Sequence, residues 1–196
     1  MISTKERIKQ VAITLFSKRG YYGTSMNDIA DAVGIVKASL YSHYSGKDEL
    51  FLAVAEDFIQ DFKQLSDRMY ETSESMDIPD KLYYIFKEYI LHYLRNPLLI
   101  NFAMQSVRFV PDELIEQFFP KYEKLADYYR QRLKDVFSEG MKQGIIHPGD
   151  PEKKVWSLMI TRDGVLAWIV VKQLGEEYIE AFWNDYWFGA VEQNKK

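Results

Sequence analysis

Two short helical segments separated by a glycine turn constrain this chain more than any other feature of its sequence. Apolar residues within 26–33 recur at helical spacing, and Ser25 precedes them as a helix cap, with Asp28 three residues later. Gly34 follows where a left-handed residue is wanted, and a second short helix is predicted over residues 37–44. This order of elements predicts the helix-turn-helix layout, in which the second helix enters the major groove of DNA.

The rest of the chain is also predicted to be helical. Its apolar residues recur every three or four positions, and no segment alternates with period two for long enough to form a strand. We expect an all-α fold of about nine helices, with a three-helix DNA-binding head over residues 1–46 and a larger helical body over residues 47–196. Pro120 lies inside a long helical pattern over residues 112–143 and predicts a break or kink there.

The composition excludes several classes of protein and of site. The chain has no cysteine, which excludes disulfides, thiolate metal sites and cysteine nucleophiles. Its most apolar stretch, residues 155–174, is interrupted by Thr161-Arg162-Asp163-Gly164, and the run that remains is too short to cross a bilayer. No signal peptide is recognised at the N-terminus, so we expect a cytoplasmic protein with no membrane partner.

The net charge of −4 is distributed unevenly along the chain. Residues 1–50 contain seven basic and five acidic side chains, so a mildly basic N-terminal segment precedes an acidic body. This distribution is compatible with DNA binding. It argues against strong non-specific binding, which requires many phosphate contacts.

The second short helix carries side chains that suit contacts with bases and phosphates. Lys37 lies at its N-terminal end, where recognition residues enter the groove, and Ala38 and the Tyr41 ring suit a thymine methyl group. For Tyr41 and Tyr44, packing against neighbouring helices is the alternative role. The predicted DNA contacts are Thr24, Ser25, Lys37, Ala38, Ser39, Tyr41, His43 and Lys47.

A helical metal-dependent enzyme is a weaker alternative. Glu88 and His92 lie four residues apart on one helix face, a spacing that permits two metal ligands. No phosphate-binding loop, nucleophile elbow or longer metal motif accompanies them, so a solvated or internally satisfied pair is the better interpretation. We predict no catalytic residue, no metal and no cofactor.

The segment from Phe16 to Phe51 resembles the DNA-binding head of TetR-family transcriptional regulators. The resemblance implies a homodimeric repressor that binds a palindromic DNA operator and is released by a small ligand in its helical body. Tyr44 stands where phenylalanine is more usual, and Ile35 and Val36 stand where polar residues often occur. The resemblance rests on Leu15-Phe16, Gly20-Tyr21, Thr24-Ser25-Met26, Asp28-Ile29-Ala30, Ala32-Val33-Gly34, Lys37, Leu40-Tyr41, His43-Tyr44 and Lys47-Asp48-Glu49-Leu50.

The resemblance also implies a ligand pocket in the helical body, and the sequence offers many aromatic candidates for its walls. Most of these residues suit an ordinary core equally well, and Asp163 also suits an ion pair with an arginine. A DNA-binding factor without a small ligand is therefore the alternative to one that binds an aromatic, lipophilic or cationic effector. The pocket candidates are Phe62, Phe86, Tyr89, Tyr93, Phe102, Gln105, Phe109, Phe119, Tyr122, Trp156, Asp163 and Trp168.

The last two helices are the predicted dimer interface, as the family resemblance implies. The first of them, residues 151–174, is apolar nearly all round, and the terminal helix is rich in aromatic residues. The alternative is that these side chains cover the core of their own protomer. The predicted interface residues are Val165, Trp168, Ile169, Tyr178, Phe182, Trp183, Tyr186 and Trp187.

Overall fold

The computed structural model describes residues 2–108 and 110–191, with side chains for all of them except 107, 108, 190 and 191. Within these ranges the chain forms nine α-helices, a final π-helical turn and no β-strand, which confirms the all-α prediction. The helices are α1 (Thr4–Arg19), α2 (Met26–Val33), α3 (Lys37–Tyr41), α4 (Lys47–Thr72), α5 (Ile78–Arg95), α6 (Pro97–Arg108), α7 (Asp112–Lys142), α8 (Pro151–Lys172) and α9 (Glu177–Tyr186), followed by the π-helical turn Trp187–Val191.

Local cap chemistry sets both ends of α2. The Ser25 hydroxyl accepts a hydrogen bond from the Asp28 backbone N–H at 3.2 Å, and the Asp28 carboxylate accepts one from the Ser25 N–H at 2.8 Å. This reciprocal pair satisfies two N–H groups that lack helical partners. Gly34 ends the helix at φ 77°, a left-handed conformation that glycine adopts without steric cost.

Two sequence predictions differ clearly from the structure, the end of α3 and the break at Pro120. The prediction extended α3 to Tyr44, but the helix ends at Tyr41 because the His43 and Tyr44 N–H groups both turn back to the Leu40 carbonyl. The predicted break at Pro120 is absent, and α7 continues through it. A proline removes one backbone hydrogen bond, and aromatic packing by Phe118 and Tyr122 holds the helix on either side.

The chain divides into two compact units, which differ from the functional division predicted at residue 46. The first unit comprises Met1–Lys63 and Asn96–Lys124, and the second comprises Gln64–Arg95 and Leu125–Lys196. The first unit therefore contains α1–α3 together with α6, the beginning of α4 and the beginning of α7.

Aromatic packing organises the core of the first unit. The ring of Phe51 on α4 lies with its centroid 5.4 Å from Phe16, 5.5 Å from Tyr21 and 5.4 Å from Phe102. On α1, the Ser17 hydroxyl donates a 2.9 Å hydrogen bond to the Leu98 carbonyl of α6. The three helices α1, α4 and α6 are thus joined through one buried cluster.

The second unit is built on α5, which packs against α8 and α9. The Trp183 ring of α9 lies 5.3 Å from Phe86 of α5 and 5.5 Å from Trp187. On α8, Arg162 is 8% exposed, and its guanidinium lies 3.4 Å from the centroid of the Tyr89 ring. A cation over an aromatic face is stabilised by the negative potential of the ring, which allows this charge to lie in the interior.

No helix in the described part of the chain has both the length and the apolar character needed to cross a membrane. This agrees with the interruption of the most apolar stretch by charged residues, as the sequence indicated.

Candidate nucleic-acid interface and cavity

The short helix α3 has an anchored inner side and an exposed outer side. Leu40 is completely buried, whereas Lys37, Ala38 and Tyr41 are exposed. The Lys37 ammonium lies 5.7 Å from the centroid of the Tyr41 ring, so these two side chains form one surface. This surface combines a positive charge with an aromatic ring and a methyl group, which are groups that contact phosphates and bases in a major groove.

Three other sequence-predicted contact residues lie close to this surface but are less exposed or already hydrogen-bonded. Ser39 and His43 are half-buried. Ser25 is exposed, but its hydroxyl takes part in the α2 capping box. Hydrogen bonds from the side chain and the backbone of Ser25 lower the pKa of Asp28, which keeps this cap charged.

Thr24 lies in the interior of the first unit, unlike the other predicted contacts. Its side chain is 1% exposed, and its hydroxyl donates a 2.9 Å hydrogen bond to the Gly20 carbonyl. The hydroxyl therefore closes the turn after α1, and its position offers no side-chain surface to a ligand outside. The sequence did not reveal this, because a threonine before a helix cap suits either role.

Lys47 is held by the protein itself. Its ammonium donates hydrogen bonds to the Tyr21 carbonyl at 2.9 Å and to the Thr24 carbonyl at 3.1 Å. Burial lowers the pKa of this lysine, because desolvation disfavours its charged form. In this conformation the charge fastens the α1–α2 loop to the first turn of α4.

The first turn of α4 is tied to the same loop by a second contact. The Tyr21 hydroxyl donates a hydrogen bond to the Asp48 carboxylate. Burial, and then this hydrogen bond, raise the pKa of Tyr21 well above its usual value.

Ser45, just before α4, pairs with Glu49 in the first turn of that helix. The Glu49 carboxylate accepts 2.7 Å hydrogen bonds from both the Ser45 hydroxyl and the Ser45 backbone N–H.

Tyr44 packs inside the first unit. It is 2% exposed, and among the described residues its buried hydroxyl has no hydrogen-bond partner. The Lys5 ammonium lies 5.3 Å from the centroid of its ring. Packing is therefore its role here, while Tyr41 three residues earlier is exposed.

The first unit also contains an apolar cavity of ≈ 80 Å³. Of its lining residues, Ser106 and Tyr122 carry hydroxyl groups, and the Ser106 hydroxyl donates a 2.7 Å hydrogen bond to the Phe102 carbonyl. None of the lining residues that the structure describes is charged, so a cation that entered would lose its hydration without gaining a carboxylate partner, and an apolar molecule fits better. The lining residues are Phe58, Phe102, Ala103, Ser106, Phe118, Phe119 and Tyr122.

Three of the sequence-predicted pocket residues, Phe102, Phe119 and Tyr122, line this cavity. Phe62 lies behind it, with its ring centroid 5.4 Å from that of Tyr122. The sequence analysis missed the remaining lining residues. Phe58 and Phe62 lie one helical turn apart on α4, and this spacing is the signal in the sequence that could have identified Phe58 as a lining residue.

The remaining pocket candidates lie elsewhere. Phe86, Tyr89 and Tyr93 are buried in the second unit, where Trp156 and Trp168 are exposed. Asp163 accepts a 2.9 Å hydrogen bond from the Arg162 guanidinium, which matches the ion-pair alternative for this residue. In the first unit, Gln105 is half-buried beside Gly20. Phe109 lies outside the described residues.

The predicted dimer-interface residues fall into two groups within the second unit. Val165, Ile169, Trp183, Tyr186 and Trp187 are buried in the core of that unit. Trp168, Tyr178 and Phe182 are exposed, and further large apolar side chains are exposed on α8 and the π-helical turn. Those with the greatest exposure are Ile160, Val171 and Phe188.

The metal-site alternative finds no support in the geometry. Among the residues that the structure describes, no group of three or more histidine, aspartate or glutamate side chains is placed to hold a metal ion. His92 instead packs edge-on against Tyr93, with ring centroids 5.1 Å apart.

The capped helix α2, the turn at Gly34 and the exposed side of α3 define a helix-turn-helix domain of the DNA-binding class. A sequence profile for "Bacterial regulatory proteins, tetR family" matches residues 8–54, which span all three of these elements. This segment of the chain is thus similar to the DNA-binding region of TetR-family transcriptional regulators.

Among curated relatives, a "Biofilm operon icaADBC HTH-type negative transcriptional regulator IcaR" from Staphylococcus epidermidis is 41% identical over 73 residues. That alignment covers 37% of this chain and 40% of the relative, so the likeness concerns less than half of either protein.

Solved structures share the fold along nearly the whole chain. The TetR-family regulator PfmR from Thermus thermophilus aligns with a TM-score of 0.75 at 21% identity, over 99% of this chain and 100% of PfmR. AibR in complex with isovaleryl coenzyme A and operator DNA aligns with a TM-score of 0.72 at 24% identity, over 91% and 95% of the two chains. At these identities the likeness shows the fold alone.

Proposed function

We propose that this protein is a sequence-specific DNA-binding transcriptional repressor. It acts in the cytoplasm as a homodimer, binds a palindromic operator and is released by a small-molecule ligand. Residues 1–46 supply the DNA-reading surface, and residues 47–196 supply ligand binding and dimerisation. The description of the S. epidermidis relative as a negative regulator supports repression.

The exposed side of α3 is the observation that carries this proposal. Lys37, Ala38 and Tyr41 face outward from a helix that Leu40 fixes in the core. Such a helix can enter a major groove without unfolding any part of the first unit. We infer that Lys37, Ala38 and Tyr41 are the primary base or phosphate contacts, because they are exposed, and that Ser25, Ser39 and His43 contribute less.

Thr24 and Lys47 have different parts in this proposal from those that the sequence suggested. Their polar groups bond within the first unit, so they act on DNA by fixing the position of α2 and α3. For Lys47 to contact a phosphate, its ammonium would have to break its hydrogen bonds to the Tyr21 and Thr24 carbonyls.

Selection of random duplex DNA on the purified protein, followed by sequencing, tests the proposal. We expect a two-fold palindrome with half-sites about one helical turn apart. Lys37→Ala and Tyr41→Ala should weaken binding or change the selected bases. Lys142→Ala, which removes an exposed lysine from the second unit, is the matched control. The absence of any enriched sequence would contradict the proposal.

The exposed apolar residues of α8 and α9 support dimerisation. A large apolar patch on a protein surface usually marks an interface, and a palindromic operator requires two reading heads. In our proposal Trp168, Tyr178 and Phe182 contact the second copy, whereas the buried interface candidates support them from within the unit. Trp168→Glu should yield monomers in analytical ultracentrifugation and abolish operator binding at low protein concentration.

The cavity of the first unit supports a small effector. Its walls are mainly aromatic and uncharged, so among the expected effector classes we favour an aromatic or lipophilic molecule over a cation. An effector that binds better to a conformation with low DNA affinity necessarily binds in competition with the operator. One solved structure of this fold, AibR, is a complex with both a small ligand, isovaleryl coenzyme A, and operator DNA.

A further inference from the structure

Val36, directly before α3, is an unusual residue for its position. It is the N-cap residue of the helix, at φ −70° and ψ 147°, and it makes no side-chain cap hydrogen bond. By contrast, α1, α2 and α8 begin after Ser3, Ser25 and Asp150, each of which accepts a hydrogen bond from a first-turn N–H. A valine at this position costs helix stability relative to serine.

Packing within the protein does not explain this valine. Val36 is 73% exposed, one of the highest values among the large apolar side chains of the described chain. Leu40, one turn later, provides the buried anchor of α3. The isopropyl group of Val36 therefore contributes neither a cap nor a substantial share of the core.

The surroundings of Val36 indicate what it contacts. It lies at the N-terminal end of α3, beside the exposed Lys37 and Ala38, and this is the end of a recognition helix that meets base edges. An isopropyl group neither donates nor accepts hydrogen bonds. In the major groove, the apolar feature that a base edge offers is the 5-methyl group of thymine.

We propose that Val36 determines sequence specificity by packing against a thymine methyl group in each operator half-site. The inference rests on the proposed DNA-binding function. It adds the base that is contacted, thymine, and the group on that base, the 5-methyl. It also gives a reason for the missing cap, since a serine at this position would stabilise α3 but present a hydroxyl to the methyl group.

Replacing thymine with uracil in the selected operator tests this contact, because uracil keeps every hydrogen-bonding group and lacks the methyl. We expect at least one thymine position per half-site at which the replacement weakens binding about fourfold, as the loss of one buried methyl group predicts. Replacement in both half-sites should weaken binding about fifteenfold, since the two losses multiply.

The variant Val36→Ser identifies the residue responsible. It should bind thymine and uracil operators equally, while its thermal midpoint stays at or above that of the parent because serine caps α3. Met104→Ser, which introduces a hydroxyl at an exposed apolar position on α6 of the same unit, is the matched control and should keep the preference for thymine.

Two results would overturn the inference. One is a palindromic operator whose binding does not change at any thymine-to-uracil replacement. The other is a thymine preference that Val36→Ser retains in full, which would assign the methyl contact to a neighbour. In both cases the proposed repressor function stands. Failure to select any two-fold sequence would instead overturn the proposed function and this inference with it.

Discussion

The Lys47 ammonium lies 4.0 Å from the centroid of the Tyr21 ring while it donates hydrogen bonds to the Tyr21 and Thr24 carbonyls. One side chain thus combines a cation–π contact with two charge-assisted hydrogen bonds. We expect Lys47→Met to lower the free energy of unfolding by about 1–3 kcal/mol, because two carbonyls lose a charged donor. Urea denaturation of the purified protein measures this change.

Lys121→Met is the matched control for that experiment. Lys121 forms an exposed ion pair with Glu56 at 3.1 Å in the same unit. Exposed pairs contribute little, so its removal should change the free energy of unfolding by less than about 1 kcal/mol. Equal effects of the two substitutions would mean that the Lys47 contacts do not stabilise the loop.

Tyr44→Phe should leave stability unchanged or raise it by up to about 1 kcal/mol, since it removes a buried hydroxyl that has no partner among the described residues. The shape of the ring and its packing are retained. Tyr70→Phe should instead lower stability by about 1 kcal/mol, because the Tyr70 hydroxyl donates a 3.0 Å hydrogen bond to the Tyr129 carbonyl. Chemical denaturation that ranks the two variants in the opposite order would contradict this assignment.

Stability should decrease under alkaline conditions because of buried phenols. Burial raises the pKa of Tyr70 well above its usual value, and burial with a hydrogen bond to Asp67 does the same for Tyr129. The stabilisation is complete below the unfolded-state pKa of about 10. It is lost as the pH rises above that value, because the unfolded chain then releases its phenolic protons first.

Tyr70→Phe checks the origin of this pH dependence. Its free energy of unfolding should fall less steeply above pH ~10 than that of the parent protein, because one proton release on unfolding is removed. Denaturation series at several alkaline pH values provide the comparison. Parallel curves for both proteins would show that Tyr70 does not contribute.

The cavity should distinguish a neutral aromatic molecule from a cation. Toluene should raise the thermal midpoint by binding the folded state, and by more than tetramethylammonium does, because a buried cation loses its hydration, the described lining residues supply no carboxylate, and the aromatic faces offset only part of that cost. Ala103→Leu places extra methyl groups in the cavity and should abolish the toluene effect. A larger shift with tetramethylammonium than with toluene would contradict the proposed effector class.

Local signals in the sequence were sufficient for the elements around α2. Ser25, Asp28 and Gly34 act on backbone groups within a few residues, so their spacing alone predicts where the helix begins and ends. The exposure of Lys37 and Tyr41 follows in turn from the inward anchor at Leu40. These features depend on neighbouring residues and are therefore readable from the chain.

Contacts between distant residues could not be predicted in the same way. Lys47 meets the Thr24 carbonyl across 23 positions, and the cavity brings Phe58 of α4 together with Phe118 of α7. A solvated lysine and a structural lysine have the same local sequence pattern. The continuity of α7 through Pro120 is a similar case, since a proline predicts a lost hydrogen bond but not the ring packing that offsets it.

The buried cluster around Phe51 has a consequence for protein engineering. A chimera joined at residue 46 would keep Phe16 and Tyr21 from one parent and place them against a foreign ring at position 51. By contrast, Val36, Lys37, Ala38 and Tyr41 are exposed and take no part in that cluster. Under the proposed function, operator preference would thus be transferable as a small set of surface side chains, while the segment that carries them is not an interchangeable module.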